Sequence, residues 1–150
     1  MSIYDHEFTL PSGEQVSLSK YKGKNILIVN TASLCGHTPQ YAKLQELYAS
    51  KSDNLEIIAF PCNQFGNQEP GSDEEIRKVC ETYNVTFTVA QKIDVNGDNA
   101  HPIYKYLKEK SNLNKDIEWN FEKFLIDKNE NIIHFRSQYS PTLLASKITN

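Results

Sequence analysis

The sequence predicts an α/β domain with a mixed central sheet, helices on both faces and a hairpin at the N-terminus. Three observations carry this. Two short unbroken apolar runs, residues 25–30 and 55–60, suit strands buried on both faces. Segments after each run repeat apolar residues at helical spacing and open on Thr-Pro or Ser. Near the C-terminus, two strand-like runs flank the turn-forming residues 127–131.

The elements follow in order. Residues 8–10 and 16–18 around Pro11-Ser12-Gly13 read as a hairpin. Residues 25–30 form the first buried strand. Thr38 is placed to cap a helix that Pro39 starts, with Tyr41, Leu44, Leu47 and Tyr48 on its apolar face. Residues 55–60 form the second buried strand. Ser72 and Glu75 make a capping box for the next helix, and Asp73 and Glu74 suit the positive end of its dipole. Ile76, Val79, Cys80 and Tyr83 then follow helical spacing. Residues 92–95 read as a short strand stopped by Asn96-Gly97. Residues 102–110 form a third helix, residues 122–126 and 132–135 a second hairpin, and residues 141–148 a closing helix. Strand–helix–strand steps imply right-handed parallel crossovers, and the last hairpin adds antiparallel strands. A thioredoxin-like fold satisfies this order.

The 150 residues fit one domain, 1–150, long enough to bury a core without staples. Apolar residues at 39% and charged residues at 23% mark an ordinary globular chain. With 16 basic and 19 acidic side chains the formal charge is −3, which leaves no electrostatic footprint for nucleic acid. No apolar run nears the ~20 residues of a membrane span, so no stable membrane association is expected. The first residues lack a basic region followed by an apolar stretch, so the expected location is the cytoplasm. Three cysteines, Cys35, Cys62 and Cys80, argue against a disulfide framework there. No Cys-x-x-Cys occurs and the four histidines are scattered, so neither a metal nor a cofactor is expected.

Cys35 lies in NTASLCGHTPQY, just past the first buried strand and three residues before Thr38. Ligand sites in open α/β sheets form beyond the carboxyl ends of strands. Amides near a helix start favour negative charge, and the thiolate is the nucleophile. Free cysteines are also among the most buried residues, so on position alone a reactive and an inert Cys35 both stand. The stretch NQFGNQEPGS, residues 63–72, can face the same sheet edge with neutral amide donors, or be a polar turn into the Ser72 helix. Trp119, the only tryptophan, offers an N–H beside the Asn120 carboxamide; alone it reads as a core anchor. Cys80, on an apolar helix face, reads as a small packed residue. His37 is a base or charge partner for Cys35, or a solvated loop residue.

Together these segments resemble the glutathione peroxidase family. NTASLCGHTPQY is similar to its peroxidatic-cysteine motif, FPCNQFGNQEPGSDEEI to its second signature and WNFEKFLID to its third. The resemblance runs over residues 8–148. It implies a thioredoxin-like fold, with Cys35 as the peroxidatic residue and Gln68, Trp119 and Asn120 completing a tetrad around it. It places Cys80 where the cysteine-type, thioredoxin-dependent members carry a resolving cysteine, and leaves Cys62 to pack. Two departures stand out. His37 occupies a position often aromatic in the family, and Thr88 one where proline is usual, which loosens the chain entering residues 92–95. The insertion and the basic residues of tetrameric, glutathione-using members have no clear match, which implies a monomer reduced by thioredoxin.

The implied chemistry follows from the weak O–O bond of a peroxide. The Cys35 thiolate attacks one oxygen, and the other leaves as hydroxide or alkoxide. Preorganised neutral donors stabilise both charges without overstabilising the thiolate. The resulting sulfenic acid condenses with Cys80 to a disulfide, which thioredoxin reduces. Hydrogen peroxide and organic hydroperoxides, lipid ones included, are the implied substrates. Two other functions use Cys35 identically: the same peroxidase reduced by glutathione, and a peroxide sensor or relay that passes its disulfide to a partner protein. Thioredoxin-type disulfide exchange is disfavoured, because Cys35-Gly36-His37-Thr38 lacks a second cysteine.

Overall fold

Residues 1–149 are described by the computed structural model. An antiparallel hairpin, β1 (Glu7–Thr9) and β2 (Gln15–Ser17), precedes a five-stranded sheet. That sheet runs β5 (Thr88–Val89), β4 (Leu55–Pro61), β3 (Asn25–Thr31), β6 (Lys123–Ile126), β7 (Ile132–Phe135). The β3–β4 and β4–β5 pairs are parallel, and β6 and β7 join antiparallel. The mixed sheet with an N-terminal hairpin is therefore as the sequence predicts. Among the described residues, no helix is long and apolar enough to cross a membrane.

Strand periodicity sorts the core into two layers. Side chains alternate across a sheet, so Ile26, Ile28, Ile58 and Phe60 bury on one face, and Leu27, Val29, Ile57 and Ala59 on the other. The first face is covered by the hairpin and by α3 (Pro102–Lys110), through Ile103, Tyr104 and Leu107. The second is covered by α1 (Gln40–Lys51), α2 (Asp73–Thr82) and a 3-10 helix, Pro141–Lys147. Tyr41, Leu44, Ile76, Cys80 and Leu144 supply that layer. Each large apolar side chain so buried stabilises the fold by about 1.5–3 kcal/mol.

The Ser72–Glu75 capping box forms: Ser72 Oγ accepts the Glu75 N–H at 3.2 Å, and Glu75 Oε1 accepts the Ser72 N–H at 3.3 Å. The turn at 127–131 is held by Asp127 Oδ1, which accepts the N–H groups of Asn129 and Asn131, both at 2.9 Å.

Three expectations need correction. Residues 92–95 are not a strand; the strand is Thr88–Val89. The ladder stops because β4 ends at Pro61, which has no N–H to give. Beyond Ala90 the regular pairing is lost: Gln91 N–H turns to Thr9 O of β1 at 2.9 Å, and Ile93 N–H returns to Pro61 O at 2.9 Å. Thr88 does not loosen this entry; it pairs with Ile58, and its hydroxyl donates to Glu56 at 3.4 Å. Finally, α1 begins at Gln40, and Thr38 makes no cap to it, because its hydroxyl is committed to the Cys35 turn.

Candidate active site

The turn after β3 carries Cys35. The Thr38 hydroxyl donates to Ala32 O at 2.8 Å and accepts the Cys35 N–H at 3.0 Å. This fixes the loop through a single side chain that is 5% exposed. The His37 N–H points at the Cys35 sulfur at 3.3 Å. That amide is a donor aimed at the sulfur. His37 thus contributes by its backbone, a role no side-chain reading could find. Its ring lies 3.4 Å from Gln40 Nε2.

The loop after β4 meets this turn. Leu34 N–H donates to Gln68 O at 3.0 Å, which sets Gln68 against the residue preceding Cys35. Gly66 and Asn67 take left-handed φ values of 65° and 53°. A Cβ at Gly66 would stand 3.1 Å from the Trp119 ring, so glycine serves both the turn and the close approach. Phe65 packs edge-on to Trp119 at 6.1 Å.

The segment before β6 completes the cluster. Asn120 is fully buried and donates through Nδ2 to Gln68 Oε1 at 2.9 Å. Phe121 turns the chain with φ 65°, so that its N–H reaches Asn30 O at 2.6 Å while Asn30 Nδ2 holds Trp119 O at 2.9 Å. Glu122 Oε2 accepts the N–H groups of Glu118 and Trp119, and its Oε1 pairs with His134 Nε2 at 2.6 Å. Gln68, Trp119 and Asn120 are therefore brought together beside the Cys35 turn. Among the described residues, however, the hydrogen bond that reaches the Cys35 sulfur comes from His37, not from these three. Gln68 Nε2 and Trp119 Nε1 donate to no other described group.

All three cysteines are free and buried. Cys35 and Cys80 belong to the apolar layer on one face of the sheet, whereas Cys62 lies in the layer on the other. Burial pushes the Cys80 thiol up; the Tyr41 hydroxyl pulls it partly back, and the charges of Glu69 and Glu81 push it further. Burial likewise raises Cys62. Among the described residues no cluster of His, Cys, Asp or Glu could hold a metal ion.

Beneath the site, Lys123 is fully buried and donates to Ser137 O at 2.8 Å and Tyr139 O at 2.7 Å. Burial depresses its ammonium from 10.5 to about 7, with the Glu122 charge opposing. The unfolded chain therefore binds this proton more tightly than the fold. Stability from this residue is greatest at alkaline pH and is lost as pH falls from 10.5 towards about 7. The melting temperature of wild type, measured relative to Lys123→Met, should fall over that window and level off below it. A difference independent of pH would show that Lys123 stays charged in the fold.

The glutathione peroxidase family profile matches residues 3–108, which include Cys35, Gln68 and Cys80 and end before Trp119. The glutathione peroxidase-like peroxiredoxin 2 of Saccharomyces cerevisiae is 50% identical over 153 aligned residues, covering 98% of this chain and 94% of the relative. The apo crystal structure of Trgpx superposes with TM-score 0.80 at 39% identity, covering 98% of this chain and 92% of the other. A thioredoxin-like protein from Aeropyrum pernix, at 18% identity and TM-score 0.64 over 92% of this chain and 84% of its own, shares the fold alone. The chain belongs to the glutathione peroxidase family and is a peroxidase built on a thioredoxin-like fold.

Proposed function

We propose that Cys35 reduces hydrogen peroxide and organic hydroperoxides, lipid ones included, and that Cys80 resolves the oxidised enzyme for reduction by thioredoxin. The observation that carries this reading is the bond from Leu34 N–H to Gln68 O, which joins the Cys35 turn to the Gln68–Asn120 pair. The free donors Gln68 Nε2 and Trp119 Nε1 are the groups to meet charge on sulfur and on the departing oxygen. The thiolate attacks one peroxide oxygen, the O–O bond breaks, and the leaving hydroxide or alkoxide takes a proton. The product is Cys35 sulfenic acid. Cys80 then displaces water to form the Cys35–Cys80 disulfide. Leu34, 66% exposed at the rim, offers apolar contact to an organic hydroperoxide.

A protein reductant fits the surface around Cys80, where a groove of about 600 Å³ is lined by Ile76, Cys80, Val85, Phe87 and Val89. Reduced free thiols suit the cytoplasm, the location we assign. A monomer follows from the family resemblance, and sedimentation tests it.

Gln68→Ala, Trp119→Phe and Asn120→Ala should each slow oxidation of reduced Cys35. Loss of one preorganised donor costs about 10²–10³-fold where it acts alone, and less where three share the charge. Stopped-flow mixing with peroxide measures the step; wild-type rates in all three variants would remove the tetrad. Steady-state turnover with thioredoxin and then with glutathione decides the reductant.

A further inference from the structure

Glu69 is the residue the peroxidase chemistry leaves unexplained. It is fully buried, and neither carboxylate oxygen makes a well-formed hydrogen bond; the Ser33 hydroxyl and N–H meet it only loosely. Its backbone is fixed, because its N–H donates to Asn63 Oδ1 at 2.9 Å. It stands at a hinge, with only Pro70 and Gly71 between it and Ser72, the N-cap of α2. A cleft of about 340 Å³ separates the Cys35 turn from α2, lined by Ser33, Leu34, Glu69, Pro70, Ile76 and Val79. The buried hydroxyls of Thr31, Ser33 and Tyr41 likewise make no well-formed hydrogen bond, although Tyr41 lies against Thr31 and Cys80, and Ser33 against Glu69. A packed core does not leave so many polar atoms unpaired without a reason.

We propose that Glu69 is a positioning residue for the resolving step: a plug that seats α2 while it holds its proton, and releases the helix when the proton leaves. The inference rests on the reading of Cys80 as the resolving cysteine. A carboxylate sealed from water with only Ser33 to meet it loosely is costly, whereas the neutral acid is tolerated. The groups that face it do not reverse this. Ser33 from the Cys35 turn and Lys92 beyond β5 favour the charge, but less than burial opposes it, and the carboxyl is raised from its ordinary value. Tyr41 on α1, Cys62 after β4 and Cys80 on α2 are neutral neighbours that a negative Glu69 would raise further. Glu75 and Lys78 of α2 stand on the cleft and offset one another in sign. Lys92 Nζ also clamps the hinge at Gly71 O, at 2.7 Å.

When α2 lifts, the wall made by Ile76 and Val79 goes and water reaches the carboxyl, which then returns to ordinary acidity. The packed helix therefore holds the proton more tightly than the open one. Its stabilisation by Glu69 is full at acid pH and is lost as pH rises through the packed-state value. The step balances: Glu69 releases one proton to solvent on opening and recovers it on closing. Cys35 sulfenic acid and the Cys80 thiol give the disulfide and one water.

Hydrogen exchange across residues 72–83 of the reduced protein tests the plug without any chemistry at sulfur. The ratio of wild-type to Glu69→Gln exchange rates cancels the intrinsic pH dependence. It should rise severalfold from about pH 5 to about pH 8, each unit of difference between the open and packed values being worth about tenfold. Glu69→Met, equally unable to ionise, should behave like Glu69→Gln. Disulfide formation after one equivalent of peroxide should show the same rising ratio, while the first oxidation of Cys35 is unchanged. A flat exchange ratio overturns the proposal. Absence of a Cys35–Cys80 disulfide in wild type would overturn the resolving reading instead, and the exchange ratio would still decide the plug.

Discussion

Cys35→Ser is expected to abolish peroxide reduction, lowering turnover by about 10⁴-fold or more, the scale on which an enzyme feels loss of its nucleophile. A serine hydroxyl is not ionised at neutral pH, and among the described residues the hydrogen bond to the Cys35 sulfur is from a donor, the His37 N–H, with no base in reach. The same contact explains why the fold should survive. A serine oxygen can accept that N–H, and the Thr38 bridge to Cys35 N and Ala32 O uses only backbone. Circular dichroism should therefore match wild type while peroxide consumption disappears. Turnover near the wild-type rate would take Cys35 out of the nucleophile's role.

Cys80→Ser is expected to consume one equivalent of peroxide and then stall with thioredoxin. Losing an intramolecular partner forfeits a large effective concentration, so thioredoxin-dependent turnover should drop by about two orders of magnitude or more. In the structure Cys80 is buried on the inner face of α2 and all three cysteines are free, so the expected disulfide is predicted to draw the thiol out of its packing. A disulfide needs Cα atoms about 4.4–6.8 Å apart with converging Cβ directions. Partial unwinding of α2 is the movement we expect to supply that geometry. It must break the contacts of Ile76 and Cys80 but can spare the capping box at Ser72. Exchange across residues 72–83 should accordingly rise on oxidation of the wild type and not in Cys80→Ser. Undiminished thioredoxin-dependent turnover in the variant would leave direct reduction of the sulfenic acid by another thiol.

Both predictions start from residues that were legible in the sequence. The two buried runs, the Ser72–Glu75 box and the 127–131 turn depend on neighbours a few positions apart, and each formed within a residue or two of its expected place. Cys35, Gln68, Trp119 and Asn120 stood out because their motifs do. What the sequence could not determine is long-range. Thr38 is well placed to cap a helix, yet its hydroxyl turned to Ala32 and Cys35, because the turn after β3 needed those bonds more. The strand expected at 92–95 lost to Thr88–Val89 because Pro61, some thirty positions earlier, ends the ladder. Cys62 and Cys80 look alike as apolar cysteines, and only the parity of β4 and the crossover through α2 put them on opposite faces. Glu69 reads as a polar loop residue, and its burial follows from α2 folding back over the Cys35 turn. Local chemistry thus determined the elements, and the family resemblance singled out Cys35, Gln68, Trp119 and Asn120. The order of strands in the sheet decided which of them meet, because contacts such as Leu34–Gln68 and Gln68–Asn120 join segments that only the assembled sheet brings side by side.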